Sequence, residues 1–315
     1  MTIQSINTRF RAYQLGSAGS SYSYFSDGKF VLIEGRYCEE NEPSINQELW
    51  ICGVEQISTL HITSWDQDHC SPSQVKRILE KLKPSKVEYP GYAPHTDCGK
   101  ESLEIIKAYK TNNSKARVIS VTPEYIESLD SASSYGYRNI MYWPKTIDAK
   151  NANDNSTVKQ FRSGSFNVLS FGDVESTQIS SYLRRTRTIN SEVDVMIMAH
   201  HGADNGFTTS AFLKAVRPTL AIATSNYGNQ FDHPKPEIRE LLHKHEVRLF
   251  TTKTGDVIVK SIGNHTGQFE VINLKAGSTE ISSRYVGNAR KGQYLRNNED
   301  TLRDRRTTHN RGPKR

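Results

Sequence analysis

Thr59-Leu-His-Ile-Thr-Ser-Trp-Asp-Gln-Asp-His-Cys70 is an apolar run rich in β-branched residues that ends in a dense polar cluster. Directly after it, Ser71-Pro72 opens a segment in which Val75, Ile78, Leu79 and Leu82 keep helical spacing up to Pro84. The pattern predicts a strand, a short loop and a helix, the strand-end position at which α/β folds collect ligands. Asp66, Asp68 and His69 project from that one loop, so three groups able to hold a metal converge with little ordering entropy. An acidic turn of this kind can equally be a helix cap. Its weight depends on what the rest of the chain brings to it.

Three further strand ends deliver similar groups. A strand over 165–171 runs into Gly172-Asp173, one over 193–199 into His200-His201-Gly202, and one over 220–224 into a Gly/Asn-rich loop that ends at His233-Pro234. Each follows an apolar run and precedes a helix. Taken singly, Asp173 could cap a helix and His233 could be an ordinary loop residue. Four such ends on one edge of an α/β sheet point to a metal site.

Elsewhere the chain starts with hairpin-like alternation around Asp27-Gly28, and residues 48–63 read as two strand-like pieces around Gly53. A strand over 86–89, a helix over 100–109, a strand over 116–121 and a short helix opened by Thr122-Pro123 follow. After a polar loop at 145–158 the second half repeats the theme, with helices over 178–187, 209–216 and 237–245 and closing strands over 249–252, 257–262 and 269–272. Two α/β halves of this kind predict two sheets packed face to face with helices outside.

The chain has 315 residues, enough for a full core, and no run nears the roughly 18 apolar residues of a membrane span. Its first residues lack the apolar core of a signal peptide. Cys38, Cys52, Cys70 and Cys98 form no C-x-x-C pair, so reduced thiols are expected. A cytoplasmic protein with no membrane contact follows as an expectation. The net charge of +7 sits in residues 281–315, where ten Lys/Arg face three acids. The expected organisation is one domain over 1–278 and a basic, disordered tail over 279–315, with even odds that the tail touches nucleic acid. No partner protein can be read.

With these blocks in hand, the sequence resembles the metallo-β-lactamase-fold hydrolases, and within them the soluble ComEC-type domain of competence DNA uptake. That group carries an H-x-D-x-D-H loop, a later G-D, an H-H-G after an apolar strand and an H-P in a Gly/Asn-rich loop. These are matched by Ser64-Trp-Asp66-Gln-Asp68-His69, Gly172-Asp173, His200-His201-Gly202 and His233-Pro234. Leu32-Ile33-Glu34-Gly35 is similar to the family strand carrying Asp-x-Gly, with Glu in place of Asp. The resemblance implies an αββα sandwich with a metal centre between the sheets.

The expected ligands are Asp66, Asp68, His69, Asp173, His200 and His233. Asp68 would also hold the attacking water, and His201 would be a further ligand or the general acid. Ser64, Asn226 and Tyr227 are candidates for substrate contact. Ser64 replaces a family histidine, and a neutral hydroxyl is a poor ligand, so one or two divalent ions are expected. A carboxylate-rich set favours Mn²⁺ or Mg²⁺, while histidine suits Zn²⁺. The implied activity is a phosphodiesterase or nuclease acting through a metal-activated water. The alternatives are a hydrolase of a small phosphate ester or cyclic nucleotide, and a binding subunit whose catalysis has decayed.

Overall fold

A computed structural model describes residues 7–129, 139–262 and 267–290. The strands are β1 (Thr8–Ala12), β2 (Tyr22–Ser26), β3 (Lys29–Ile33), β4 (Thr59–His61), β5 (Lys86–Pro90), β6 (Arg117–Val121), β7 (Ile140–Trp143), β8 (Val158–Phe161), β9 (Val168–Ser170), β10 (Val195–Ile197), β11 (Leu220–Ala223), β12 (Arg248–Thr251), β13 (Val257–Ile262), β14 (Gln268–Leu274) and β15 (Ile281–Asn288). The helices are α1 (Glu42–Cys52), α2 (Pro72–Lys81), α3 (Asp97–Asn112), α4 (Pro123–Ser128), α5 (Thr177–Leu183), α6 (Arg187–Glu192), α7 (Ser210–Val216) and α8 (Pro236–Lys244).

One sheet runs β15-β14-β13-β1-β2-β3-β4-β5-β6 and the other β12-β11-β10-β9-β8-β7. Strand alternation explains how they pack. Phe10, Tyr22, Tyr24, Val31 and Ile33 of the first sheet meet Phe161, Val168, Val195, Ile197 and Ile222 of the second in a buried layer. The opposite face of the first sheet is covered by Ile45 and Leu49 of α1, Val75, Ile78 and Leu79 of α2, and Ile106 of α3. The opposite face of the second is covered by Ile179 and Leu183 of α5, Phe212, Leu213 and Val216 of α7, and Ile238 and Leu242 of α8. Three apolar layers therefore separate four layers of structure, an αββα sandwich of the metallo-β-lactamase type.

Both sheets change character part-way. β1 to β3 are antiparallel, and β3 to β6 are parallel. Likewise β7 to β9 are antiparallel and β9 to β12 are parallel. Parallel pairing puts the C-terminal ends of β3, β4, β9, β10 and β11 along one rim.

Two expectations change. Residues 48–52 belong to helix α1, with Pro43 in its first turn and Gly53 in the left-handed conformation at its end (φ 66°); only 59–61 is strand. The domain boundary expected at 278/279 also moves, because β15 pairs with β14 along its length. Arg290 then ties this edge to the C-terminal ends of α6 and α7, its guanidinium donating to the carbonyls of Asn190, Val193, Val216 and Arg217. The remaining basic residues of the expected tail, 291–315, lie outside the described residues. Among the described residues no helix is long and apolar enough to cross a membrane.

Candidate metal centre

The loop after β4 is clamped rather than loose. The N–H groups of His69 and Cys70 donate to Asp66 O at 2.9 and 2.7 Å, Gly35 N–H donates to His69 O, and Ser20 N–H donates to Asp68 O. Arg36 closes it from outside by donating to Ala18 O and Gln67 O. On the facing sheet Gly172 (φ 57°) turns the chain after β9 where no side chain would fit, since a Cβ there would lie 2.8 Å from Ser156 Cβ. That turn delivers Asp173. After β10, His200 and His201 both take left-handed backbone (φ 45° and 55°), a costly conformation that sends the two rings in different directions.

Asp68, His69, Asp173 and His201 converge, with one donor atom from each lying within 4.8 Å of all the others. His201 Nε2 is 3.1 Å from Asp68 Oδ2, and His69 Nε2 is 2.9 Å from Asp173 Oδ2. Each imidazole is anchored from behind. His69 Nδ1 meets Thr63 Oγ1 at 3.4 Å and lies 3.2 Å from Glu34 Oε1, the carboxylate to which Thr63 N–H and Oγ1–H donate. His201 Nδ1 lies 3.1 Å from Thr224 O. The Thr224 carbonyl only accepts and Thr63 Oγ1 has given its proton to Glu34, so both rings carry their proton on Nδ1 and turn Nε2 inward, the arrangement by which second partners orient metal-binding histidines.

His69 Nε2 is buried and makes no aligned hydrogen bond despite its closeness to Asp173. A nitrogen presented in this way beside two carboxylates fits a divalent cation. Without one, only protons can balance the charge. Burial pushes the His69 imidazole down, but Asp173, Glu34 and Asp68 outweigh it and raise it well above the usual range. His201 is raised in the same way, chiefly through Asp68, against its own burial. Burial pushes Asp68 and Asp173 up, yet the neighbouring imidazoles hold both below their ordinary value.

Other expected site residues stand apart from this group. Asp66 accepts a hydrogen bond from Ser64 Oγ at 2.9 Å instead of joining the cluster. Ser64 is fully buried, which removes it from substrate contact. His200 Nδ1 lies 3.2 Å from Glu175 Oε2, and His201 rather than His200 joins the converging group. His233 stacks against His201 with ring centroids 6.3 Å apart, and its outer face meets Phe231. Burial and the two neighbouring histidines lower it to about 4, so it packs beside the cluster as a neutral ring.

Asn226 and Tyr227 lie just beyond β11, the first with its buried Oδ1 unpartnered and the second exposed. Glu34 was not among the expected site residues. Its signal was an apolar strand ending in Glu-Gly, the same pattern as the other strand ends.

The fold and cluster define a class: a metallo-β-lactamase-type sandwich whose rim carries a buried carboxylate–imidazole group compatible with a divalent metal. Within it, the chain is similar to the ComE operon protein 3 of Bacillus subtilis, 24% identical over 225 residues that make up 70% of this chain and 26% of that protein. It is also similar to competence protein ComA of Neisseria gonorrhoeae, 28% identical over 118 residues, 37% of this chain and 17% of that one. The chain thus spans about a quarter or less of the curated relatives it matches. No protein-family model matches it. Among solved structures, the metallo-β-lactamase fold protein YhfI from Bacillus subtilis is similar with a TM-score of 0.49 at 12% identity, covering 81% of this chain and 100% of that one. The metallo hydrolase Igni18 from Ignicoccus hospitalis gives 0.49 at 12%, covering 79% and 98%.

Proposed function

We propose that the chain is a metal-dependent hydrolase that cleaves phosphodiester bonds in DNA or RNA. The observation that carries this reading is the convergence of Asp68, His69, Asp173 and His201 from three strand ends on two sheets, with both imidazoles anchored through Nδ1. Similarity to two competence proteins favours nucleic acid over other esters. A bound divalent ion would lower the pKa of water toward neutrality and offset charge on a phosphoryl oxygen. Two carboxylates and two imidazoles suit Mn²⁺ and Zn²⁺, with Mg²⁺ less well matched.

The chain's own groups do the rest. Asp68, Asp173, His69 and His201 would hold the ion, while Thr63, backed by Glu34, and Thr224 keep the rings in the required tautomer. Asp68, partly open to solvent, accepts a hydrogen bond from the attacking water. Asn226 and Tyr227, just beyond β11, would contact substrate. Residues 291–315 would raise the local concentration of nucleic acid through counterion release, giving binding that weakens steeply with salt. A cytoplasmic location completes the proposal.

The test is incubation of the purified protein with labelled single- and double-stranded DNA and RNA in Mg²⁺, Mn²⁺ or Zn²⁺. Cleavage should need a divalent ion and vanish in Asp68→Ala and Asp173→Ala. Metal-loaded protein that cleaves none of these polymers, or cleavage unchanged in both variants, would sink the proposal.

A further inference from the structure

We infer that this centre holds one divalent ion, because the half of the site around Ser64 has been rebuilt as a closed hydrogen-bond chain. The inference rests on the metal-dependent reading above and deepens it. Following the protons shows why. Asp66 as a carboxylate only accepts, so Ser64 Oγ–H donates to Asp66 Oδ2 at 2.9 Å. With its proton used, Ser64 Oγ must accept from Tyr92 Oη–H at 3.3 Å, and it also accepts from Asp66 N–H at 3.3 Å. A hydroxyl offers one proton and two lone pairs, so Ser64 has nothing left for a cation.

The far end is equally fixed. Tyr92 Oη accepts from Trp65 N–H at 3.3 Å, and the Trp65 indole donates to Tyr92 O at 2.9 Å. Trp65, Ser64 and Tyr92 are all buried, so water cannot readily replace these partners and opening the chain would leave polar groups unpaired.

The ligand arithmetic agrees. Besides the saturated Ser64, the candidates for a second ion near Asp66 are Asp66 itself, Asp173, His200 and His233, and among the described residues these do not gather three donor atoms within 4.8 Å of one another. Without a contribution from Ser64 they fall short of the three or four converging protein ligands of a transition-metal site. The cluster on the other side is complete with four. Ser64 and Tyr92 therefore take the place of the second ion and position the loop that carries Asp68.

The test is the metal content of purified protein saturated with Mn²⁺ and desalted, measured by elemental analysis alongside electron paramagnetic resonance. The expected result is one manganese per chain with the hyperfine pattern of an isolated ion. Tyr92→Phe should leave this number unchanged, because removing a hydrogen bond adds no ligand. Ser64→His should raise it to two, with spin coupling between the ions. Two coupled ions in the unaltered protein would overturn the inference and leave the hydrolase reading intact. No bound ion would overturn both. Folded Ser64→His that stays at one ion would refute the role given to Ser64.

Discussion

Between β5 and β8, Glu88 meets Lys159 at 2.5 Å and Lys86 at 2.7 Å, with His61 Nδ1 at 3.0 Å. At the rim, Asp68 and Asp173 meet imidazoles alone. Both clusters are buried between the sheets, where unpaired charge is costly. The first is balanced by lysines of the chain itself. The second balances only by keeping protons on its histidines, and a divalent ion would do the same without them. The contrast separates a buried charge network that joins two sheets from one poised to accept a cation.

The largest expected effect comes from deleting a donor at the rim. Asp173→Ala should abolish detectable metal binding and lower hydrolysis by more than about 100-fold, beyond the range of second-partner variants. Thermal stability of the metal-free protein should change much less, and a collapse of the fold would show that the rim cluster is structural after all. Next is Lys159→Met, which leaves Glu88 buried with only the half-open Lys86. Urea unfolding should register a loss of about 3 kcal/mol, while metal affinity, read by titration, stays within about twofold.

Glu34→Gln sharpens the comparison from the side of orientation, since it weakens the acceptor of the Thr63 hydroxyl that meets His69 Nδ1 and removes the charge beside that ring. Metal affinity should fall about 10- to 100-fold by the same titration, and an unchanged value would remove Glu34 from the site.

The smallest effect per step is the pH dependence, and it differs in sign between the clusters. Burial pushes Glu88 up but Lys159 outweighs it, leaving it well below 4.5, while burial and then Lys159 push His61 below 6.5. For both groups the unfolded chain binds more protons in acid. Their contribution is present above 6.5 and is lost as pH falls, first through the His61 window and then below 4.5. His69 and His201 are raised above 6.5, so in the metal-free protein their contribution is present below that value and is lost as pH rises. Stabilisation by added Mn²⁺ should therefore grow with pH above 6.5, by about 1.4 kcal/mol per pH unit for each displaced proton. Thermal melts with and without Mn²⁺ across this range measure it, and a pH-independent shift would contradict the proton-for-metal exchange.

Much of this was legible because it depends on local pattern. Asp27-Gly28 forms the tight turn between β2 and β3, with Ser26 paired to Lys29, and Asp68, His69 and Asp173 stand where strand ends placed them. The misread parts depend on information that spacing does not carry. Helix α1 exposes Trp50 and Ile51, so its apolar residues show no clean helical stripe and mimic a strand. Which of His200 and His201 turns inward is set by two left-handed residues, and adjacent histidines look alike in sequence. β15 is mostly polar and lies at a sheet edge, so composition described it as tail. The Lys159–Glu88 pair joins residues 71 apart in the chain, and only the packing of the two sheets brings them together.

The most direct test of the central claim is anomalous diffraction from crystals of the full chain soaked in Mn²⁺. One strong peak is predicted among Asp68, His69, Asp173 and His201, with both histidine Nε2 atoms at coordination distance and Ser64 still bonded to Asp66 and Tyr92. A peak bounded by Asp66, His200 and His233, or none at the rim, would contradict it.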